Sequence, residues 1–163
     1  MPAQIVNLAS MRGIYHFYKV SDELSCAGQP TGEQLEQLAA ENYRVIVNLG
    51  LLNTRYALPD EAGLVKELDI EYYYIPVNFE KPQLTELADF IAYMRQHAGK
   101  KTMVHCAANY RASVFTGLYL LATRQMDKQE MEDFIDDIWQ PNTVWQQFLE
   151  EGVEFIKDKN PTI

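Results

Sequence analysis

The chain of 163 residues is 47% hydrophobic and 23% charged, which is typical of a soluble globular protein that buries one hydrophobic core. Its formal net charge of −9 argues against a nucleic-acid partner, because such proteins need a clustered basic surface. No stretch approaches the roughly 20 apolar residues of a membrane-spanning helix, and the N-terminus lacks a signal-peptide pattern. We therefore expect one cytoplasmic domain over residues 1–163, without a nucleic-acid or membrane partner.

After an N-terminal extension, residues 1–20, short apolar runs alternate with segments of helical periodicity. The strand predictions run from Leu24 to the Gly-x-Pro break at 28–30, from Tyr43 to Gly50, from Tyr72 to Val77 and from Lys101 to Val104. Six helices are predicted. The first begins after a capping box at Thr31 and Gln34, and the second after Asp60 as N-cap. The other four run from Leu84 to Gly99, from about Ala112 to Arg124, from near Asp127, and from the residues after Pro141.

This alternation predicts an α/β fold, because strands joined by helical crossovers form a mostly parallel sheet with helices on both faces. Residues 21–113 would hold the sheet and a functional loop, and residues 114–163 would add helices. Cys26 is expected to be a small buried residue.

The functional loop is the sequence Val-His-Cys-Ala-Ala-Asn-Tyr-Arg-Ala-Ser at 104–113. Cys106 follows a predicted buried strand, and Arg111 stands at the start of the predicted helix. In such a turn the loop N–H groups and the helix N-terminus converge on one spot and favour an anion. The same field favours thiolate over thiol at Cys106, and Arg111 can present two donors to an oxyanion.

These residues resemble the active-site loop of the cysteine-dependent phosphatases, the protein-tyrosine and dual-specificity superfamily, whose pattern is His-Cys-x5-Arg-Ser/Thr. Here four residues separate Cys106 from Arg111, so that Ala112 occupies the arginine position and Ser113 the Ser/Thr position. The spacing is similar to that of a bacterial phosphatase-like subgroup with a shortened loop. It also resembles the Cys-x4-Arg loop of many rhodanese-type sulfurtransferases.

The resemblance to the phosphatase subgroup extends over residues 21–113 and implies a dual-specificity-phosphatase-like fold, with the catalytic loop at the carboxyl end of a strand. It implies that Cys106 is the nucleophile, that Arg111 binds the oxyanion, and that His105 shapes the loop and helps to keep the thiol ionised. Ser113 would donate its hydroxyl to the thiolate or protonate the leaving sulfur. The phosphate-binding loop would comprise Ala107, Ala108, Asn109, Tyr110 and Arg111, with Asn109 supplying the left-handed turn where the phosphatases often have glycine.

Phosphatases of this type also use a general acid, commonly an aspartate about thirty residues before the cysteine. The corresponding loop, 78–82, contains no aspartate: Asn78 stands near that position, and Glu80 is the best substitute. Gln29 recurs in the resembled subgroup and is expected to face the site. The sequence shows no cluster with metal-ligand spacing, and no cofactor is expected.

Three functions remain open from the sequence. The favoured one is a phosphatase that hydrolyses phosphate monoesters, phosphotyrosine among the candidates, through a thiophosphoryl-enzyme on Cys106. The second is a sulfurtransferase that carries a persulfide on Cys106. The third is a weakly catalytic module that binds oxyanions or phosphoproteins. The first and third predict a phosphate-like or sulfate-like anion in the loop.

Overall fold

A computed structural model describes residues 13–159, so that the first twelve residues of the predicted N-terminal extension lie outside the described part. The strands are β1 (Tyr18–Lys19), β2 (Leu24–Ala27), β3 (Val45–Asn48), β4 (Glu71–Tyr74) and β5 (Thr102–His105). The helices are α1 (Gly32–Ala40), α2 (Glu61–Glu67), α3 (Leu84–Gln96), α4 (Tyr110–Ala122), α5 (Lys128–Asp136) and α6 (Thr143–Lys159).

The five strands form one sheet in the order β1-β2-β5-β3-β4. Neighbouring strands are parallel, except that β1 pairs antiparallel with β2. The α/β prediction with a mostly parallel sheet is therefore confirmed, while the two-residue edge strand β1 was not predicted. Because β5 lies between β2 and β3, the loop that follows it emerges at the centre of the carboxyl edge, where ligands of open α/β sheets bind.

Alternating residues of the central strands pack into two separate cores, one on each face of the sheet. Val45, Val47 and Val104 belong to the core that α3, α4, α5 and α6 cover, whereas Ile46 and Met103 belong to the core under α1 and α2. Helix α4, which begins four residues after Cys106, is buried along nearly its whole length. Packing against the surrounding elements therefore holds it in place.

The capping box predicted at Thr31 is present: its side chain accepts from the backbone of Gln34, whose side chain accepts from the Thr31 N–H. Asp60 does precede α2, but it adopts a left-handed conformation with φ 54° and makes no capping hydrogen bond. The strand predicted to reach Val77 ends at Tyr74. The N–H groups of Ile75 and Val77 still donate to the carbonyls of Asn48 (2.9 Å) and Leu49 (3.1 Å), so the segment continues alongside the end of β3.

Candidate active site

Cys106 follows the last residue of β5 and is 1% exposed. Asn109 then takes a left-handed conformation, with φ 69° and ψ 12°, and α4 begins at the next residue. Asparagine tolerates this conformation better than most side chains, so the chain turns from strand to helix within four residues. The side-chain amide of Asn109 also donates to the carbonyl of His16 (2.8 Å), which ties the turn to the N-terminal segment.

Three successive carbonyl oxygens of this loop each lie within hydrogen-bond distance of a nitrogen from a residue outside positions 106–111. Cys106 O faces Nδ1 of His105 (3.3 Å), Ala107 O accepts from the Gln29 N–H (3.1 Å), and Ala108 O faces Nδ1 of His16 (2.9 Å). The described residues contain no cis peptide bond, and in a trans peptide the C=O and N–H groups point in opposite directions. The N–H groups of Ala107 and Ala108 therefore point away from these nitrogens and are available to bind an anion.

Gly28 lies directly beneath the loop and forms an isolated bridge with Ala108. A Cβ atom placed there would lie 2.6 Å from the carbonyl oxygen of Ala107 and 2.9 Å from that of Tyr15. Only glycine allows this approach, so the turn after β2 supports the cysteine loop from below.

Arg111 occupies the first turn of α4 and is 9% exposed. Its Nη1 donates to the carbonyl of Val77 (2.8 Å), and its Nε is buried without a hydrogen-bond partner. None of the ion pairs found within residues 13–159 includes Arg111. The guanidinium therefore retains donor capacity and an uncompensated positive charge close to the loop.

Ser113 is fully buried, and its hydroxyl donates to the carbonyl of Tyr110 (2.9 Å) while accepting from the Trp139 indole N–H (3.1 Å). The tyrosine ring stacks on Trp139 with centroids 4.3 Å apart. The single hydroxyl proton of Ser113 is thus committed to a backbone carbonyl in this structure, and not directed at Cys106.

The loop predicted to carry the general acid lies next to Arg111, since Val77 binds its guanidinium and the Phe79 ring lies 5.9 Å from the guanidinium carbon. The side chain of Asn78 accepts from the backbone N–H of Glu80 (2.9 Å) and so shapes the turn. Glu80 itself is exposed, which leaves its carboxyl free to meet a substrate.

A buried polar network lies under the cysteine loop, on its α2 side. Nε2 of His105 and Oε2 of Glu61 are 2.6 Å apart, and both side chains are at most 1% exposed. Gln29 donates its side-chain amide to the other carboxylate oxygen, and the Tyr72 hydroxyl lies close enough to this carboxylate to influence its pKa. Burial alone would raise the pKa of Glu61, but the charge of His105 and hydrogen bonds from His105, Gln29 and Tyr72 outweigh it, so the pKa lies below its usual value.

Cys26 is fully buried, as the sequence predicted. Burial raises the pKa of its thiol to about 12, an effect to which the nearby Cys106 adds. At neutral pH this thiol is un-ionised, and it is therefore a poor nucleophile.

Sequence reasoning missed Glu61, Tyr72, His16 and Trp139 as partners of the loop. A signal existed for Glu61, which stands four residues before the buried Val65 and so shares the inward face of α2. Within residues 13–159 no group of His, Cys, Asp or Glu side chains could hold a metal ion, and no helix is long and apolar enough to cross a membrane.

The fold and the cysteine loop together define a protein of the cysteine-dependent phosphatase superfamily, of the protein-tyrosine and dual-specificity type. A DUF442 phosphatase-like protein from Shewanella putrefaciens CN-32 is 32% identical, with 93% of this chain and 97% of that chain covered and a TM-score of 0.82. This chain belongs to the DUF442 family.

More distant structures share the fold. PTPMT1, solved in complex with PI(5)P, is 16% identical with a TM-score of 0.74 over 88% of this chain and 97% of that one. The kinase-associated phosphatase KAP, solved with its catalytic-site cysteine changed to serine, is 15% identical with a TM-score of 0.72 over 83% of this chain and 86% of that one. No model of a known protein family matches the sequence, and no curated protein matches it either.

Proposed function

We propose that this protein is a phosphatase that hydrolyses phosphate monoesters through a thiophosphoryl-enzyme on Cys106. The observation that carries the proposal is the buried guanidinium of Arg111, five residues after Cys106 in the loop at the centre of the carboxyl edge. Its Nε has no hydrogen-bond partner, and the guanidinium has no carboxylate partner among residues 13–159. A buried guanidinium without a counter-ion destabilises the folded protein, and an anion bound beside it would offset this cost. Its DUF442 relative, itself described as phosphatase-like, supports the same assignment.

In the proposed reaction the Cys106 thiolate attacks phosphorus, an S–P bond forms, and the bond to the leaving oxygen breaks. Arg111 and the N–H groups of Ala107 and Ala108 hold the non-bridging oxygens, whose charge they stabilise without having to reorganise. Water then attacks phosphorus, which releases inorganic phosphate and restores the thiolate.

The leaving oxygen needs a proton unless it belongs to a good leaving group such as an aryl oxide. We assign this step to Glu80, the acidic residue of the 78–82 loop, because its side chain is exposed and the ring of its neighbour Phe79 lies 5.9 Å from the Arg111 guanidinium. General-acid catalysis of this kind contributes roughly 10²–10⁴ in rate. Aryl phosphates such as phosphotyrosine would depend on it least.

The four-residue spacing between Cys106 and Arg111 favours one competing chemistry, sulfur transfer through a Cys106 persulfide. Both activities are tested side by side by measuring p-nitrophenyl phosphate hydrolysis and sulfur transfer from thiosulfate to cyanide. The wild type should hydrolyse the ester, and Cys106→Ser should abolish hydrolysis. Cys26→Ala is the matched control and should retain hydrolysis, because Cys26 is a protonated core residue.

Unchanged hydrolysis in Cys106→Ser would contradict the proposal. Sulfur transfer without ester hydrolysis would replace it with the sulfurtransferase. Tight binding of tungstate without either turnover would leave the protein as an oxyanion-binding module.

A further inference from the structure

The segment before β1 makes a tight turn beside the cysteine loop. The Phe17 N–H donates to the carbonyl of Ile14 (3.1 Å), and Ile14 is buried in the core under α1 and α2. His16, the third residue of this turn, has a φ of 49°. Turns that need a positive φ at this position usually place glycine or asparagine there. Histidine adopts this conformation less readily than glycine, so its side chain should make an interaction that offsets the difference.

The ring of His16 makes that interaction with the cysteine loop. Its Nδ1 lies 2.9 Å from the carbonyl oxygen of Ala108. Because a carbonyl can only accept a hydrogen bond, the ring nitrogen is the donor. The bond needs a proton on Nδ1 alone, so the neutral ring and the protonated ring can both form it. The exposed ring of Tyr15 stacks on the His16 ring, with centroids 4.0 Å apart and planes inclined by 15°, and limits its rotation.

The cysteine loop binds the backbone of His16 in return. The side-chain amide of Asn109, the residue after Ala108, donates to the His16 carbonyl (2.8 Å). Asn109 also has a positive φ, of 69°. Two residues in left-handed conformations, 93 positions apart, are thus joined by two hydrogen bonds, in each of which a side chain from one segment binds the backbone of the other. We call this pair of bonds the His16–Asn109 clasp. Uncommon backbone conformations of this kind persist where the surrounding contacts enforce them, and they cluster at functional sites.

The clasp lies where the cysteine loop joins α4. Asn109 immediately precedes α4, and its carbonyl accepts the first helical hydrogen bond, from the Ser113 N–H (3.1 Å). Arg111 lies within that same turn, and the Val77 carbonyl holds its guanidinium. The direction in which the chain leaves Asn109 therefore sets the position of Arg111 relative to the cysteine loop.

We propose that His16 is a positioning residue of the anion site: through the clasp it holds Asn109 in its left-handed conformation and keeps Arg111 directed at an anion bound in the cysteine loop. No group of the clasp changes its charge in this role. The effect on anion binding follows from the geometry of the clasp, whereas the effect on hydrolysis rests on the proposed phosphatase function.

Substitutions of similar shape separate the hydrogen bond of His16 from its backbone conformation. Asparagine and aspartate both tolerate a positive φ, and both carry polar atoms bonded to Cγ, as histidine carries Nδ1. His16→Asn can donate to the Ala108 carbonyl, whereas an ionised His16→Asp side chain presents only acceptors to it. His16→Gly keeps the left-handed backbone without a side chain. The matched control is Asn42→Gly, at a left-handed residue (φ 71°) on the amino side of β3.

The first measurement is the dissociation constant for tungstate by titration calorimetry, with the kinetics of p-nitrophenyl phosphate hydrolysis alongside it. His16→Asp and His16→Gly should each bind tungstate about tenfold more weakly and lose about tenfold in kcat/KM, because the guanidinium is displaced. His16→Asn should retain most of both, and Asn42→Gly should match the wild type. Thermal unfolding checks that each variant is folded at the assay temperature, and if His16→Gly is not, the comparison of His16→Asn with His16→Asp decides.

The second measurement locates the proton of the His16 ring by long-range ¹H–¹⁵N NMR, with His16→Gly to assign the signals. In alkaline buffer, where a histidine ring carries one proton, that proton should lie on Nδ1. A proton on Nε2 instead would overturn the inference, whatever the variants bind.

The inference and the proposed function fail in different ways. If His16→Asp binds tungstate as tightly as His16→Asn, the donor at residue 16 does not position the site and the inference is wrong, while ester hydrolysis by the wild type would still support the phosphatase. If the wild type binds tungstate without hydrolysing the ester, and His16→Asp binds it more weakly than His16→Asn, the phosphatase assignment fails and the role of His16 stands. A wild type that binds no tungstate would overturn the inference whether or not it hydrolyses the ester.

Discussion

Gly28 provides a sharp test of how the cysteine loop is supported, because the chain offers a matched glycine nearby. In Gly28→Ala the new methyl group would lie 2.6 Å from the carbonyl oxygen of Ala107, and both close contacts are with backbone oxygens that cannot rotate away. In Gly32→Ala, four residues later at the start of α1, no atom lies within 4 Å of the new methyl group.

The expected magnitudes follow from these distances. The Ala107 carbonyl must retreat by roughly 0.8 Å to regain ordinary contact, and overpacking of this kind costs about 1–3 kcal/mol. For a chain of this length that corresponds to a fall of about 2–12 °C in Tm. Gly32→Ala should be neutral or stabilise by up to about 1 kcal/mol, because alanine loses less backbone freedom on folding.

The same displacement moves a loop that we assign to phosphate binding. A misplacement of about 1 Å in a catalytic group can cost about 100-fold, so we expect kcat/KM of Gly28→Ala for p-nitrophenyl phosphate to fall by about 10- to 100-fold. Thermal unfolding and steady-state kinetics of both variants would check this. Equal Tm and equal activity in Gly28→Ala and Gly32→Ala would refute the claim that Gly28 supports the loop.

Three further predictions concern single side chains. Ser113→Ala should lower the unfolding free energy by about 1–3 kcal/mol in urea titrations, because the Trp139 N–H loses its acceptor; an unchanged midpoint would contradict this. Glu80→Gln should slow hydrolysis of an alkyl phosphate by about 100-fold or more but barely affect p-nitrophenyl phosphate, and equal losses on both esters would exclude Glu80 as the acid. Because the folded pKa of Glu61 is depressed, its stabilisation is present above its unfolded pKa, about 4.3, and is lost as the pH falls through the lower folded value. The stability difference between wild type and Glu61→Gln should therefore shrink from about pH 6 to about pH 3, and a constant difference would contradict this assignment.

Local sequence patterns were sufficient for the elements that place the cysteine loop. The apolar run before Cys106, the helical periodicity after Arg111 and the capping box at Thr31 each act within a few residues, so their structures follow from short-range sterics and hydrogen bonding. The tolerance of Asn109 for a left-handed conformation is equally local.

The supports of the loop could not be predicted in the same way, because they come from distant parts of the chain. His16 binds Ala108 across 92 residues, and Glu61 binds His105 across 44. Such pairs depend on how the sheet brings the ends of β2, β5 and the start of α2 together, and a single sequence carries no signal of that register. The motif position of Ser113 predicts a contact with the thiolate, whereas its hydroxyl binds the Tyr110 carbonyl in this structure, a bond within the first turn of α4 that the motif does not specify.

The most direct test of the central claim is to trap the covalent intermediate. The wild-type protein is mixed with a ³²P-labelled aryl phosphate, quenched in denaturant within the first turnover, digested and sequenced by mass spectrometry. The account predicts label on the peptide that contains Cys106, in an amount approaching one phosphoryl group per active site, and none in Cys106→Ser. Turnover of the ester with no label on that peptide, or the same label in Cys106→Ser, would contradict it.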